Sequence, residues 1–141
     1  MSDEKNKVFE DEFMEVQSGL ISLCMEFLGE NEVDKIYAYC SIEGGSYLFN
    51  VFFDVNGAIK TARTFESKTQ KIFKFLNTGT FDLVKIEDVC IEYNMPVPTE
   101  IKMIYDVKTG KYNADYKYEP VCIDKCAGDV FDEWKAEIEQ A

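Results

Sequence analysis

The sequence predicts an α+β fold, with one antiparallel sheet of about five strands and N-terminal, middle and C-terminal helices packed on it. Three observations carry that expectation. Residues 8–28 repeat apolar side chains at spacings of four and three, which is a helical stripe. Residues 35–55 read as two apolar strands folded at Gly44-Gly45, and residues 100–118 hold the clearest polar–apolar alternation in the chain. At 141 residues, 46% of them hydrophobic, the chain is long enough to bury a substantial core as a single domain spanning 1–141.

Taken in order, the first helix places Phe9, Phe13, Val16, Leu20, Leu23 and Phe27 on one side. Asp11, Glu12, Glu15, Ser18, Ser22 and Glu26 fall on the other, and Gly29 is its stop. A two-residue Gly44-Gly45 turn then pairs Ile42 with Tyr47, Cys40 with Phe49, Ala38 with Val51 and Ile36 with Phe53, all on one face. The opposite face of this hairpin should be polar, yet it carries Tyr37, Tyr39, Leu48 and Phe52. A third strand is expected over 58–65, with a three-residue loop that pairs Phe53 with Ile59 and keeps Lys60 out of the core. Residues 67–94 have helical spacing interrupted by "NTGT", which predicts two pieces broken near Gly79. "MPVPT" is a linker. In the last hairpin, a turn at Thr109-Gly110 pairs Val107 with Tyr112 and Met103 with Tyr116. Tyr112, Ala114, Tyr116 and Tyr118 then lie inward, and Lys111, Asn113, Asp115 and Lys117 outward. A closing helix over 122–139 turns Ile123, Ala127, Val130, Trp134 and Ile138 inward.

The net charge of −12 is unevenly placed. Residues 1–34 hold 10 acidic and 2 basic side chains, and residues 119–141 hold 7 and 2, whereas the middle of the chain is near neutral. Such a surface repels nucleic acid and anionic membranes and suits a basic partner. The opening "MSDEKNKVFEDEF" has no basic n-region followed by an apolar run, so no signal peptide is expected. Five scattered cysteines, mostly within apolar patterns, fit a reducing cytoplasm with buried thiols.

The residue inventory argues against catalysis. There is no histidine, and Arg63 is the sole arginine, which removes the usual general base and the best phosphate clamp. Cys122 and Cys126 stand four apart, a spacing unlike the common zinc sites, and the "EGGS" and "TGT" glycines lack the lysine of a phosphate loop. Carboxylate pairs are unavoidable with 27 acidic residues; Asp54 and Asp106 could face the same side of the sheet as acid and base, but nothing in the sequence singles them out. Neither cofactor nor metal is expected. The partner-binding candidates are the carboxylates Asp11, Glu12, Glu15 and Glu26 and the aromatics Tyr37, Tyr39 and Phe52. The aromatic face has three candidate covers: the helix over 67–94, a second copy of the chain, or a protein partner.

Residues 35–39, the aromatic strand 47–53, "TGKYNADYKYE" at 109–119 and "FDEWK" at 131–135 resemble the YezG-like family of bacterial antitoxin (immunity) proteins, over about residues 8–138. The resemblance implies a small, acidic, non-catalytic cytoplasmic protein that binds and neutralises a cognate toxin, a nuclease with a basic groove. The same acidic surface would serve an adaptor or chaperone for an exported protein, and a small carboxylate-based enzyme is the third reading.

Overall fold

A computed structural model describes residues 2–141, with side chains from residue 7 onward. The elements run α1 (Ser2–Leu28), β1 (Lys35–Glu43), β2 (Ser46–Val55), β3 (Ala58–Thr61), a 3-10 turn (Ala62–Thr64), α2 (Thr69–Glu92), β4 (Glu100–Asp106), β5 (Tyr112–Lys117) and α3 (Ala127–Gln140). All five strands form one antiparallel sheet in the order β3-β2-β1-β4-β5. The chain is therefore α+β, with its three helices divided between the two faces of the sheet. None of its helices is long and apolar enough to cross a membrane, among the described residues.

One face carries the main core. α1 buries Phe9, Phe13, Leu20, Ile21, Cys24 and Leu28, and α2 buries Phe75, Leu83, Ile86 and Cys90, against Ile36, Ala38, Cys40, Phe49, Val51, Phe53, Ile101 and Met103 of the sheet. α1 starts six residues before the apolar stripe begins, because periodicity is blind to a polar first turn. Gln17 sits fully buried inside that stripe, where its Oε1 accepts hydrogen bonds from the hydroxyls of Tyr112 and Tyr116. Gly29, at φ +58°, ends the helix by donating its N–H to the Met25 carbonyl. Burial alone holds the Cys24 thiol up at about 12, and it raises Cys40 further, so these cysteines act as small hydrophobes.

The β1–β2 hairpin has the expected register, with Ile36 opposite Phe53 and Ile42 opposite Tyr47. Six other expectations need correction. β3 pairs Lys60, not Ile59, with Phe53, because Asn56 and Gly57 both adopt positive φ and close a strict two-residue turn. Lys60 is tolerated there because β3 is a short edge strand and its side chain reaches water, while Ile59 packs on the opposite face beside α3. β3 also ends at Thr61 rather than continuing to 65. α2 is one unbroken helix through Gly79, whose bare Cα lies against the ring of Phe49.

In the last hairpin, Tyr112 pairs with Tyr105 and Tyr116 with Ile101, two residues from the expected register. Asp106 builds the longer loop by accepting the N–H groups of Lys108 and Thr109. A shift of two keeps every side chain on its face, so Tyr112, Ala114 and Tyr116 are half-buried while Lys111, Asn113, Asp115 and Lys117 are exposed. Tyr118 lies beyond β5 and is exposed. Finally, α3 begins at Ala127, five residues later than expected. Positive φ at Asp124 interrupts the approach, Ile123 is 65% exposed, and Cys126 with Asp129 caps the helix.

Two carboxylates tie loops to the sheet. Asp34 accepts from Lys108 Nζ at 2.7 Å and from the Asn56 N–H at 2.6 Å. Glu43 accepts from the N–H groups of Cys122 and Val121 at 3.1 and 3.0 Å. Both are held below the ordinary carboxylate value, Asp34 chiefly by Lys108 and Glu43 chiefly by the Cys122 amide. A carboxylate with a depressed folded pKa contributes stability above its unfolded value and loses it as pH falls through the folded one. Urea unfolding midpoints are therefore expected to fall as pH drops below about 4. The double variant Asp34→Asn/Glu43→Gln should show a shallower fall; an unchanged profile would mean that these contacts do not persist in solution.

Candidate partner-binding surface

The aromatic second face of the first hairpin is covered from within the chain. Val130, Phe131 and Trp134 of α3 pack onto Tyr37, Tyr39 and Phe52, with Leu48, Ile59 and Ile104 at the margin. Tyr37 stacks on Phe52 at 4.7 Å, and Trp134 meets both rings edge-on, at 5.8 and 5.0 Å. Tyr39 donates its hydroxyl to Glu100 Oε2 at 2.7 Å. Burial, then the Glu100 carboxylate, raises its phenol far above the ordinary value. Glu100 is itself buried, with Lys102 and Lys117 each 3.8 Å away. Lys102 also lies over the Trp134 ring at 5.7 Å.

Tyr37, Tyr39 and Phe52 are thus interior residues of a second core, and neither the helix over 67–94 nor a partner is needed to cover them. The sequence held the signal for this in Val130, Phe131 and Trp134, which lie on one side of an amphipathic helix. A sheet with two apolar faces and three helices needs one helix on the second face, and the closing helix is the one not packed on the first.

The carboxylate candidates are placed differently. Asp11, Glu15 and Glu26 are exposed on α1 and Glu12 is half-buried. Glu15 and Glu26 stand about three turns apart, and Asp11 lies one turn before Glu15, so the three form one line along the helix. Across from Glu12 and Glu15, α2 presents Asp88 and Glu92. Glu12, Glu15, Val16, Lys85, Asp88, Val89 and Glu92 line a shallow groove of about 330 Å³ between α1 and α2. Among the described residues, no carboxylate of α1 lies in a salt bridge, and Lys85 is taken by Asp82 at 3.2 Å. By contrast, Glu133 and Glu139 of α3 are paired with Lys125 and Lys135. Glu12 leaves Oε2 buried without a hydrogen-bond partner. Its carboxylate lies beside Tyr93 and holds that phenol at about 12. Asp88 and Glu92 escaped sequence reasoning because they sit in a helix whose charge sums to little, and only the packing of α2 beside α1 brings them to the acidic line.

Asp54 and Asp106, the candidate acid–base pair, flank Lys35 on neighbouring strands. Both are engaged in turns: Asp54 accepts the Gly57 N–H, and Asp106 accepts those of Lys108 and Thr109. Among the described residues, no three His, Cys, Asp or Glu side chains converge as a metal site. The chain matches no protein-family model and no curated protein.

Proposed function

We propose that the chain is an immunity protein that neutralises a cognate toxin, a nuclease, by presenting the carboxylate line of α1 to the toxin's basic groove. The observation that carries this reading is the unpaired state of those carboxylates. Asp11, Glu15 and Glu26 face solvent and none lies in a salt bridge among the described residues; Glu15 shares its groove with Asp88, Glu92 and Lys85, and Lys85 is taken by Asp82. A nuclease must hold a polyanion, so its groove is basic, and a row of carboxylates competes for it. The overall charge of −12 draws such a partner in from a distance. The resemblance to the YezG-like family supports the same reading, and so does the scarcity of residues suited to general base or phosphate chemistry.

The test is affinity capture from the native host, followed by a nuclease assay of the captured protein. Addition of this chain is expected to suppress nucleic-acid cleavage. Replacing Asp11, Glu15 and Glu26 with lysine should leave the fold intact, since exposed charge changes usually cost within about 0.5 kcal/mol each. Surface plasmon resonance should then show association slowed at least about tenfold, and wild-type association should slow with added salt. A partner without nuclease activity would overturn the reading. Unchanged association of the folded triple variant would move the site away from α1.

A further inference from the structure

α2 turns an apolar stripe toward water. Phe73, Phe81 and Ile91 are 59%, 73% and 61% exposed. Phe73 and Ile91 are about five whole turns apart and so share one side of the helix, with half-buried Val84 between them and Phe81 alongside. Large apolar side chains along a whole helix face mark an interaction surface more often than chance exposure.

The charges on α2 state what kind of surface it is. Lys68 stands at the N-cap position without a side-chain cap, Lys71 and Lys74 follow, and the N-terminal turn holds no acid. The C-terminal half carries Glu87, Asp88 and Glu92, and the last turn holds no base. This order opposes the helix dipole, which favours acids at the start and bases at the end. Lys74, Asp88 and Glu92 have no ion-pair partner among the described residues. An antiparallel copy of the same helix removes the conflict, because it sets the basic half of each against the acidic half of the other and opposes the two dipoles.

We infer that the chain forms a two-fold homodimer in which the exposed face of α2 packs antiparallel against the same face of a second copy. An isologous contact requires self-complementarity, and α2 supplies it in one register. With the two-fold axis beside residue 82, Phe73 faces Ile91 of the second copy and Phe81 lies against its own counterpart. Lys74, on the flank that it shares with Glu92, reaches Glu92 and Asp88 of the second copy. Apolar contacts and charge pairs fall into place together, so neither demands a shift that breaks the other. This surface adjoins the α1 line only at the groove where Asp88 and Glu92 stand beside Glu15, and its apolar contacts do not depend on the toxin reading.

Sedimentation equilibrium tests it on the full chain. Wild type is expected at twice the chain mass, and Phe81→Glu at the single mass with an unchanged circular dichroism spectrum, since that side chain is mostly in solvent. Lys74→Glu and Glu92→Lys, each alone, should weaken the dimer at least about tenfold, a change worth roughly 1.4 kcal/mol. Combined in one chain, they recreate the pair in reverse and should restore the dimer to within a few-fold of wild type. A wild-type protein of single mass at every concentration would overturn the inference. So would a dimer that survives Phe81→Glu, or a combined variant that stays as weak as either single one, the result expected if the dimer uses another register or face. Asp11→Lys with Glu26→Lys, both outside the groove that holds Asp88 and Glu92, should leave the mass unchanged, which separates the dimer contact from the toxin-binding line.

Discussion

Trp134→Ala is expected to remove about 3–5 kcal/mol of stability, the range for truncating a buried tryptophan. That is a large part of the ~5–15 kcal/mol that holds a domain folded. The indole is 5% exposed and is the hub of the second core, touching Tyr37, Tyr39 and Phe52 at once. Its loss opens a cavity and loosens α3 together. Urea unfolding followed by circular dichroism measures the change, since the variant lacks the only tryptophan. Trp134→Phe should recover much of the loss by refilling part of the space, and binding of a hydrophobic dye should rise in the alanine variant. A loss below about 1 kcal/mol, within the range of a routine substitution, would mean that α3 is not seated on the sheet as described.

Gly79→Ala is the second substitution with a large expected effect, and its sign is opposite to the helix-propensity expectation. Alanine in a helix interior is favoured over glycine by about 1 kcal/mol. Here, however, the added Cβ would overlap the edge of the Phe49 ring, closest to Cδ2. Phe49 has little room to retreat: it is buried and meets Phe75 edge-on at 5.9 Å. Overpacking of this kind costs about 1–3 kcal/mol or more, so net destabilisation is expected, and Gly79→Val should be worse. Phe49→Leu in the same chain should relieve part of the clash, so the two losses should add to less than their sum in a double-mutant cycle. Stabilisation by Gly79→Ala would show that α2 stands further from the sheet.

Gly79 also shows where the sequence stopped being legible. Read locally, a glycine after "NT" in a helical pattern is a break. Only the third dimension reveals that it is a place where a helix backbone and an aromatic ring touch. The register of β3 failed for a related reason. Ile59 was assigned to the main core because one face of the hairpin was taken as the dry one, and a sheet dry on both faces gives it a second home beside α3. The last hairpin slipped by two residues and still kept its inward tyrosines, because the strand period protects the face but not the partner. By contrast, the first hairpin was readable residue by residue, since Gly44 and Gly45, both at positive φ, leave one register for the apolar positions. Of the candidate surface, Asp11, Glu15 and Glu26 could be read from helical spacing alone. Tyr37, Tyr39 and Phe52 could be read only as an apolar face in need of a cover, because nothing local says which helix provides it.

The cover is also made after every strand it packs against. Phe52 leaves the ribosome 82 residues ahead of Trp134, a wait of roughly 4–16 s at ordinary rates of synthesis. Through that interval the nascent chain can complete α1, the whole sheet and α2, yet it must carry Tyr37, Tyr39 and Phe52 bare on the far face. An unfinished or C-terminally clipped copy is therefore nearly folded and strongly adhesive, the combination that recruits chaperones and proteases. Arrival of α3 is what closes the sticky face of this fold, so quality control converges on that helix.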